Sequence, residues 1–475
     1  MVSVGRDKIL VKNTLIFGVG TSLSKIMSVL LVGLYTAYIS TSDFGYYDIL
    51  ITTVGIIIPL VSLQITDALY RNLLDAENDG DIRKTVTCAF SIILAGFAVA
   101  AAVSAAVNIF FEIRFGWLIF PYMVTTVLFT FSQNTARGIR RNTNFAVSGI
   151  LYTGVMLVSN IVLIVFVKAG VEALLYSIMI ADILGCVYLE SAVGIFRRLS
   201  AKAFDKAYTL NMCRYSIPLL PNSVTWLSLL LVSRYAINYY VGVDANGIFA
   251  ASSKFPALLV TLFGIFGLAW QENAITEYSS EDRNEYYTRT LKFYMRLLFS
   301  LTLVLLPLTR GFVGLFIDDS YYEAWRYIPF LYIGGVFQSF AHFFGAGYLS
   351  AKKTIGAFTT TLIGVVCGII ICLALMPLIG VQAASLAQMA AYFVMLFARI
   401  LHTRKLFNIK IDFPALISLT GLLCLFVFGY YLESWRVDAA MFGGAVIIFI
   451  FVNRVLIRQM LGMANGALKD WRGRH

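Results

Sequence analysis

Long apolar runs separated by short polar loops dominate this chain of 475 residues. A helix needs about 20 apolar residues to cross the hydrocarbon of a bilayer. Only 13% of the residues are charged, and a soluble core cannot bury so much apolar surface. The sequence therefore predicts an all-α polytopic membrane protein. Its fourteen predicted transmembrane helices lie near residues 14–39, 46–69, 85–108, 115–136, 145–167, 171–195, 215–241, 246–271, 293–316, 328–350, 355–379, 381–403, 413–432 and 438–457.

The basic residues give a test of the number of crossings. If the N-terminus is cytoplasmic and every run crosses, 29 of the 37 basic residues fall on the cytoplasmic side. Five fall outside, Arg310 among them, and three lie within the membrane. Basic loops face the cytoplasm in most membrane proteins, and one missed crossing would invert this bias along the rest of the chain. We therefore predict cytoplasmic N- and C-termini. The net charge of +11 then belongs to the loops, so we expect no nucleic-acid partner.

No pattern typical of catalysis stands out in the sequence. There is no glycine-rich phosphate loop, no His-Glu-x-x-His and no nucleophile elbow. Most of the six cysteines fall inside apolar runs and none forms a metal-binding Cys-x-x-Cys cluster. The first apolar run is too long for the core of a cleaved signal peptide. We expect a protein that is not an enzyme and that has no metal or cofactor.

Two turns far apart in the sequence share one pattern. Residues 38–47 and 240–249 each contain an aromatic residue, a short polar turn, a glycine and then two bulky residues that open a helix. Gly45 aligns with Gly247, and six predicted helices separate the two starting points. The alternative is chance similarity between two helical hairpins. We predict two six-helix lobes related by an axis along the membrane normal, plus two C-terminal helices. The predicted parts are an N-lobe (1–196), a cytoplasmic linker (197–214), a C-lobe (215–406) and a C-terminal part (407–475).

Two groups of residues resemble one family of transporters. The run from Leu34 to Asp48, with Ala68-Leu-Tyr-Arg71 at the end of the second predicted helix, resembles the opening of polysaccharide flippases of the multidrug/oligosaccharidyl-lipid/polysaccharide (MOP) export superfamily. A second group is similar to the start of the C-lobe in the same family. It comprises Ile217-Pro-Leu-Leu-Pro221, Ser233-Arg-Tyr235, Gly247-Ile-Phe249, Lys254 and Ala269-Trp270.

The resemblance implies a function as well as a fold. Such proteins are expected to have two six-helix lobes around a central cavity and to alternate between inward-open and outward-open states. They move polyprenyl-pyrophosphate-linked oligosaccharides from the inner to the outer leaflet for the synthesis of surface polysaccharides. The implied location is the bacterial inner membrane, and the partners are the anionic lipid-linked glycan, membrane lipids and a coupling proton or sodium ion. We expect a monomer.

Three cations lie deep within predicted helices: Lys25, Arg234 and Lys254. A charge at this depth costs on the order of 2.5–3.5 kcal/mol unless it faces a cavity or a partner. Arg234 and Lys254 lie on either side of an outer turn, each roughly 15 Å below it at 1.5 Å per residue. A positive cluster in the membrane suits a pyrophosphate group, which arginine can bind with two hydrogen bonds. The alternatives are snorkelling for Lys25 and a structural partner, such as a helix end, for Lys254.

Three other charged residues, Arg71, Arg137 and Asp182, have two interpretations each. Arg71 and Arg137 end helices on the predicted cytoplasmic side, where they would meet an incoming anionic headgroup or serve only to orient the protein. Asp182 lies deep in the sixth predicted helix, where it would pair with a cation or bind a coupling proton or sodium ion. Asp48 lies near a helix end, and we expect it to be solvated.

Two rival functions remain open at this point. An ion-coupled exporter of organic cations from the same superfamily would need carboxylates in its cavity, whereas the deep charges here are mostly positive. A membrane-embedded glycan polymerase or glycosyltransferase would commonly need acidic or histidine catalytic groups and a sizeable outer loop. The sequence lacks both features.

Overall fold

The computed structural model describes residues 31–111, 113–351, 353–454 and 457–458. All regular secondary structure within them is helical. The main helices are α1 (residues 31–38), α2 (Thr41–Ser62), α3 (Ile65–Leu74), α4 (Asp79–Phe110), α5 (Gly116–Gly138), α6 (Asn142–Ile161), α7 (Glu172–Val193), α8 (Lys206–Ser216), α9 (Leu220–Tyr240), α10 (Val243–Thr276), α11 (Arg283–Phe316), α12 (Ile328–Ser350), α13 (Thr354–Ile379), α14 (Gln382–Thr403), α15 (Phe413–Tyr430) and α16 (Trp435–Val452).

Eleven helical segments in this part of the chain are long and apolar enough to cross a membrane. Helices α5 and α12, of 23 residues each, coincide with two further predicted crossings. Helix α1 is the described end of the first predicted helix. The predicted all-α, multi-pass membrane class is confirmed.

The second predicted helix is not one helix. It breaks at Leu63 and Gln64, which both have left-handed backbone conformations with φ of 47° and 51°. A left-handed residue other than glycine is strained, so the break has a cost of roughly 1–3 kcal/mol per residue. The break separates two parts with different main neighbours, because α2 packs mainly on α9 whereas α3 packs mainly on α5. The prediction of a single span over residues 46–69 was therefore wrong in this detail.

Arg310, one of the five basic residues assigned to the outside, lies within a helix and not in a loop. Helix α11 runs unbroken through Pro307 and Arg310 to Phe316. Arg310 is buried, its Nε lies 3.2 Å from Oδ2 of Asp438 on α16, and it also donates to the carbonyl oxygen of Tyr430 on α15. A buried arginine is stable only when paired, and this partner lies 128 residues further along the chain.

The chain divides into two compact units. The first runs to Ala251 and includes Thr361–Ala384; it therefore contains α2 to α9. Its core consists of apolar side chains from α2, α3, α4, α5 and α7. The second unit contains Ser252–Thr360 and continues from Ser385, so that it holds α11, α12 and α14 to α16. Helix α11 packs on α15 and α16, which makes the last two helices part of this unit. The predicted lobe boundaries stay a prediction.

Candidate substrate-transport site

The two glycines aligned by the sequence repeat lie against each other. A Cβ atom on Gly45 would lie 2.0 Å from the carbonyl oxygen of Val243, and one on Gly247 would lie 1.9 Å from that of Thr41. Both positions therefore require glycine, since no real Cβ atom fits at such distances. Nδ2 of Asn246 donates to the carbonyl oxygen of Gly45 at 2.8 Å. The start of α2 and the start of α10 are thus in backbone contact.

One turn further along α2, a buried ion pair joins this helix to α9. Nε of Arg234 on α9 lies 2.5 Å from Oδ2 of Asp48 on α2, and the two side chains are only 6% and 12% exposed. The guanidinium also lies over the ring of Phe249, 4.8 Å from its centroid. In a low-dielectric interior the two charges stabilise each other, and removing one partner alone costs about 3–5 kcal/mol. The pair therefore holds α2 to α9.

Exposed polar contacts extend this interface in both directions. Oγ1 of Thr41 donates to Oδ1 of Asp244 at 2.6 Å, and Oγ1 of Thr53 lies 3.1 Å from the hydroxyl of Tyr235. We call the contact formed by these pairs, the two glycines and the ion pair the α2 seam. Glycine contacts and single polar bonds, unlike interlocking apolar side chains, can separate without leaving large apolar cavities.

Asp48 was expected to be solvated, and this expectation was wrong. Asp48 is buried because α2 packs on α9 at this level, one turn from the close glycine contact between α2 and α10. The expectation that the deep charges are mostly positive is corrected accordingly, because the charge of Arg234 is balanced in this structure.

The other two deep cations predicted from the sequence are Lys25 and Lys254. Lys25 lies outside the described residues. Lys254 is half-buried on α10 and belongs to the second compact unit, whereas Arg234 belongs to the first. The predicted cluster of the three cations stays a prediction.

Arg71 and Arg137 both lie exposed at helix ends of the first unit, but their surroundings differ. Nη1 of Arg71 donates to Oδ2 of Asp75 at 2.6 Å, and this hydrogen bond raises the pKa of Arg71. The guanidinium of Arg137 instead lies over the ring of Tyr70, 4.4 Å from its centroid. The charge of Arg71 is therefore balanced locally by a carboxylate, whereas Arg137 contacts an aromatic face.

Asp182 is buried on α7, where Oγ1 of Thr126 on α5 donates to its Oδ2 at 2.9 Å. Within the described residues no basic side chain forms an ion pair with it. A buried carboxylate surrounded by hydroxyl groups can hold a proton or a small cation.

Sequence reasoning missed the partners of three charges that are buried or largely buried. Asp48 and Asp438 each pair with an arginine, and Arg399 on α14 donates to the carbonyl oxygen of Ala341 and to Oγ1 of Thr360. One signal could have identified the first pair. Asp48 lies three residues after Gly45, and the glycine that matches Gly45 in the repeat, Gly247, lies shortly after Arg234 in the sequence. Nothing in the local sequence indicates the other two sets of partners.

The family model described as polysaccharide biosynthesis protein matches residues 10–271, which include the whole α2 seam. The chain belongs to this family. A search of curated protein sequences gives no match.

Several solved structures share the fold of the chain. The lipid II flippase MurJ in an inward closed conformation has a TM-score of 0.68 and 12% identity, over 94% of this chain and all of MurJ (100%). A multidrug resistance MATE family transporter of the MOP superfamily in its inward-facing conformation gives 0.67 and 11%, over 84% and 98%. An outward-facing structure of such a transporter gives 0.61 and 14%, over 84% and 95%. The chain therefore has the fold of the MOP superfamily, and family and fold together support a transporter or flippase.

Proposed function

We propose that this protein is a flippase that moves a polyprenyl-pyrophosphate-linked oligosaccharide from the inner to the outer leaflet of the bacterial inner membrane by alternating access. The family supplies the connection to polysaccharide synthesis. The fold match to a lipid II flippase supports transport of a lipid-linked glycan. The cytoplasmic termini and the monomeric state are part of the same proposal.

The observation that carries the proposal is the ion pair between Arg234 and Asp48. A buried guanidinium that loses its carboxylate is stable only if another anion takes its place. A pyrophosphate group is such an anion, and arginine binds phosphate oxygens with two parallel hydrogen bonds. In our proposal the headgroup takes over Arg234 from Asp48, which removes the charged bond of the α2 seam and lets α2 separate from α9. Lys25 and Lys254 would contact the same headgroup or the glycan.

Coupling to an ion gradient would use Asp182. Its burial and its bond from Thr126 support a site for a proton or sodium ion. We propose that Asp182 couples transport to such an ion.

The buried carboxylates also favour a second candidate, an ion-coupled exporter of organic cations. Asp182 is a deep carboxylate with no basic partner in the described part of the chain, as a cation exporter would require. The matching MATE structures are multidrug transporters of this fold. The pair of Arg234 and Asp48 argues against this candidate, because the arginine already neutralises the carboxylate of Asp48 and leaves it no net charge to attract an organic cation.

The test is translocation by the purified full-length protein in proteoliposomes. A fluorescent polyprenyl-pyrophosphate oligosaccharide and a fluorescent organic cation are offered separately. We expect movement of the glycan lipid only, and its loss in Arg234→Gln but not in the control Arg326→Gln, which changes an exposed arginine. Export of the dye without movement of the glycan lipid would refute the proposal in favour of the exporter.

A further inference from the structure

Three exposed arginines surround the turn between α5 and α6: Arg137, Arg140 and Arg141. The sequence has no acidic residue between Glu112 and Glu172, so this part of the chain supplies no counter-charge. Within the described residues, none of the three arginines forms an ion pair or a side-chain hydrogen bond. The turn is therefore a locally uncompensated group of three positive charges.

Several other basic residues of the same unit have acidic partners. Asp75 pairs with Arg71, Asp205 with Lys84, and Asp79 accepts from both Arg83 and Arg198. Lys168, Lys202, Lys206 and Arg214 of this unit form no ion pair within the described residues either. What sets Arg137, Arg140 and Arg141 apart is that three such charges lie within five consecutive positions at one turn.

The backbone at this turn favours glycine where the chain has arginine. The amide of Arg141 donates to the carbonyl oxygen of Ala136, and that of Arg140 donates to the carbonyl oxygen of Arg137. This pair of bonds is the Schellman motif, which ends a helix with one left-handed residue, usually glycine. That residue here is Arg140, with φ of 62°. A strained arginine at a glycine position is a reason to look for a function.

The arginines are not needed to cap the helix. A basic side chain near a helix C-terminus often hydrogen-bonds the last carbonyl groups. Backbone amides already occupy the carbonyl groups of Ala136 and Arg137. The guanidinium of Arg137 is instead positioned over the ring of Tyr70 on α3. Its hydrogen-bonding edge is thus left for a ligand, since stacking uses only the flat face of the group.

We propose that Arg137, Arg140 and Arg141 form the site that first binds the pyrophosphate headgroup of the lipid-linked substrate at the inner leaflet. This inference rests on the proposed function. Three guanidinium groups within five positions suit two adjacent phosphates, whereas an ordinary anionic phospholipid offers a single phosphate charge. The site also contacts α3, which follows α2 directly along the chain. Arg71, which Asp75 neutralises, is not part of it.

The experiment measures binding of polyprenyl pyrophosphate to the full-length protein in nanodiscs of neutral phosphatidylcholine. Arg140→Gly is the decisive variant, because it removes a charge and also relieves the left-handed strain. We expect about threefold weaker binding with an unchanged or higher Tm, and near-normal binding in Arg140→Lys. The triple variant Arg137→Gln, Arg140→Gly, Arg141→Gln should bind at least about tenfold more weakly. The matched control, Arg83→Gln, should bind like the unaltered protein.

Competition distinguishes the two sources of phosphate. Phosphatidylglycerol added to the nanodiscs should displace little of the polyprenyl pyrophosphate; full displacement at equal concentration would show a general lipid site and overturn the proposal. Unchanged binding in the triple variant would also overturn it. In that case the proposed function would still stand if Arg234→Gln abolished translocation. Absence of any binding by the unaltered protein would contradict both.

Discussion

The two compact units each contain a buried arginine–aspartate pair, and the surroundings of the two pairs differ. Arg310 bonds Asp438 of α16 and the backbone of α15, and it lies over the rings of Trp325 and Tyr430. Asn453, directly after the end of α16, donates to Oγ of Ser300 on α11. This pair is one part of a contact that is fixed at several points.

The pair of Arg234 and Asp48 lies in a different kind of interface. Its neighbours along the α2 seam are a contact between two glycines and single polar bonds that are exposed. We propose that the same two chemical groups form a structural bond in one unit and an exchangeable bond in the other. In this proposal the role of a buried charged pair depends on the number of other bonds that must break with it, and not on burial and pairing alone.

The largest expected effect separates the two pairs by function. Neutralising both partners avoids an unpaired buried charge, so each double variant should fold. We expect Asp48→Asn with Arg234→Gln to abolish translocation of the lipid-linked glycan. Arg310→Gln with Asp438→Asn should keep translocation within about threefold of normal, since no substrate contact is lost. The measurement is the initial rate of translocation in proteoliposomes. An equal loss of translocation in both double variants would contradict the proposed difference between the two ion pairs.

Neutralising only the aspartate of each ion pair should show whether a substrate headgroup can replace it. Asp48→Asn leaves the Arg234 guanidinium without its carboxylate, and Asp438→Asn does the same to Arg310. Each should cost about 3–5 kcal/mol of stability. Polyprenyl pyrophosphate should raise the Tm of Asp48→Asn more than that of Asp438→Asn, because it can replace only the first carboxylate. An equal rise in the Tm of both variants on adding the lipid would contradict the proposal that the headgroup replaces Asp48 on Arg234.

A methyl group at Gly45 should force the α2 seam apart. Gly45→Ala places a Cβ atom 2.0 Å from a backbone oxygen, which cannot move as a side chain can. We expect a loss of about 1–3 kcal/mol in stability and faster labelling of a cysteine at Thr41. Gly55→Ala on the same helix meets no atom within 4 Å and serves as the control. Identical labelling of both variants would show that the contact does not close the seam.

The smallest effect concerns the exposed end of the seam. Thr41→Val removes the bond to Asp244 and keeps the shape of the side chain. Exposed hydrogen bonds contribute little, so we expect a loss of about 0.5–1 kcal/mol and near-normal transport. Thermal unfolding measures the loss of stability. A loss as large as that of Asp48→Asn would show that this hydrogen bond, and not the ion pair, is the main contact of the seam.

The membrane class and nearly all of the helices could be predicted from the sequence, because an apolar run of about 20 residues is most stable as a helix that crosses the bilayer. The repeat identified Gly45 and Gly247, and the deep position of Arg234 marked it as unusual. The prediction missed the partner of this arginine, Asp48, which lies 186 residues away, although the repeated glycine near Asp48 was a signal for it. Nor could the sequence show the break at Leu63 and Gln64, since neither residue is a glycine. Both depend on packing between distant segments.

The central claim is that an anionic headgroup replaces Asp48 on Arg234 and opens the α2 seam. Double electron–electron resonance measures the distance across the seam between spin labels at Ser42 on α2 and Tyr239 on α9. The six native cysteines are replaced for this experiment. The account predicts a second, longer distance when the polyprenyl-pyrophosphate glycan is added, and no such change in Asp48→Asn with Arg234→Gln. A single unchanged distance at saturating glycan lipid, in protein that still transports it, would contradict the account.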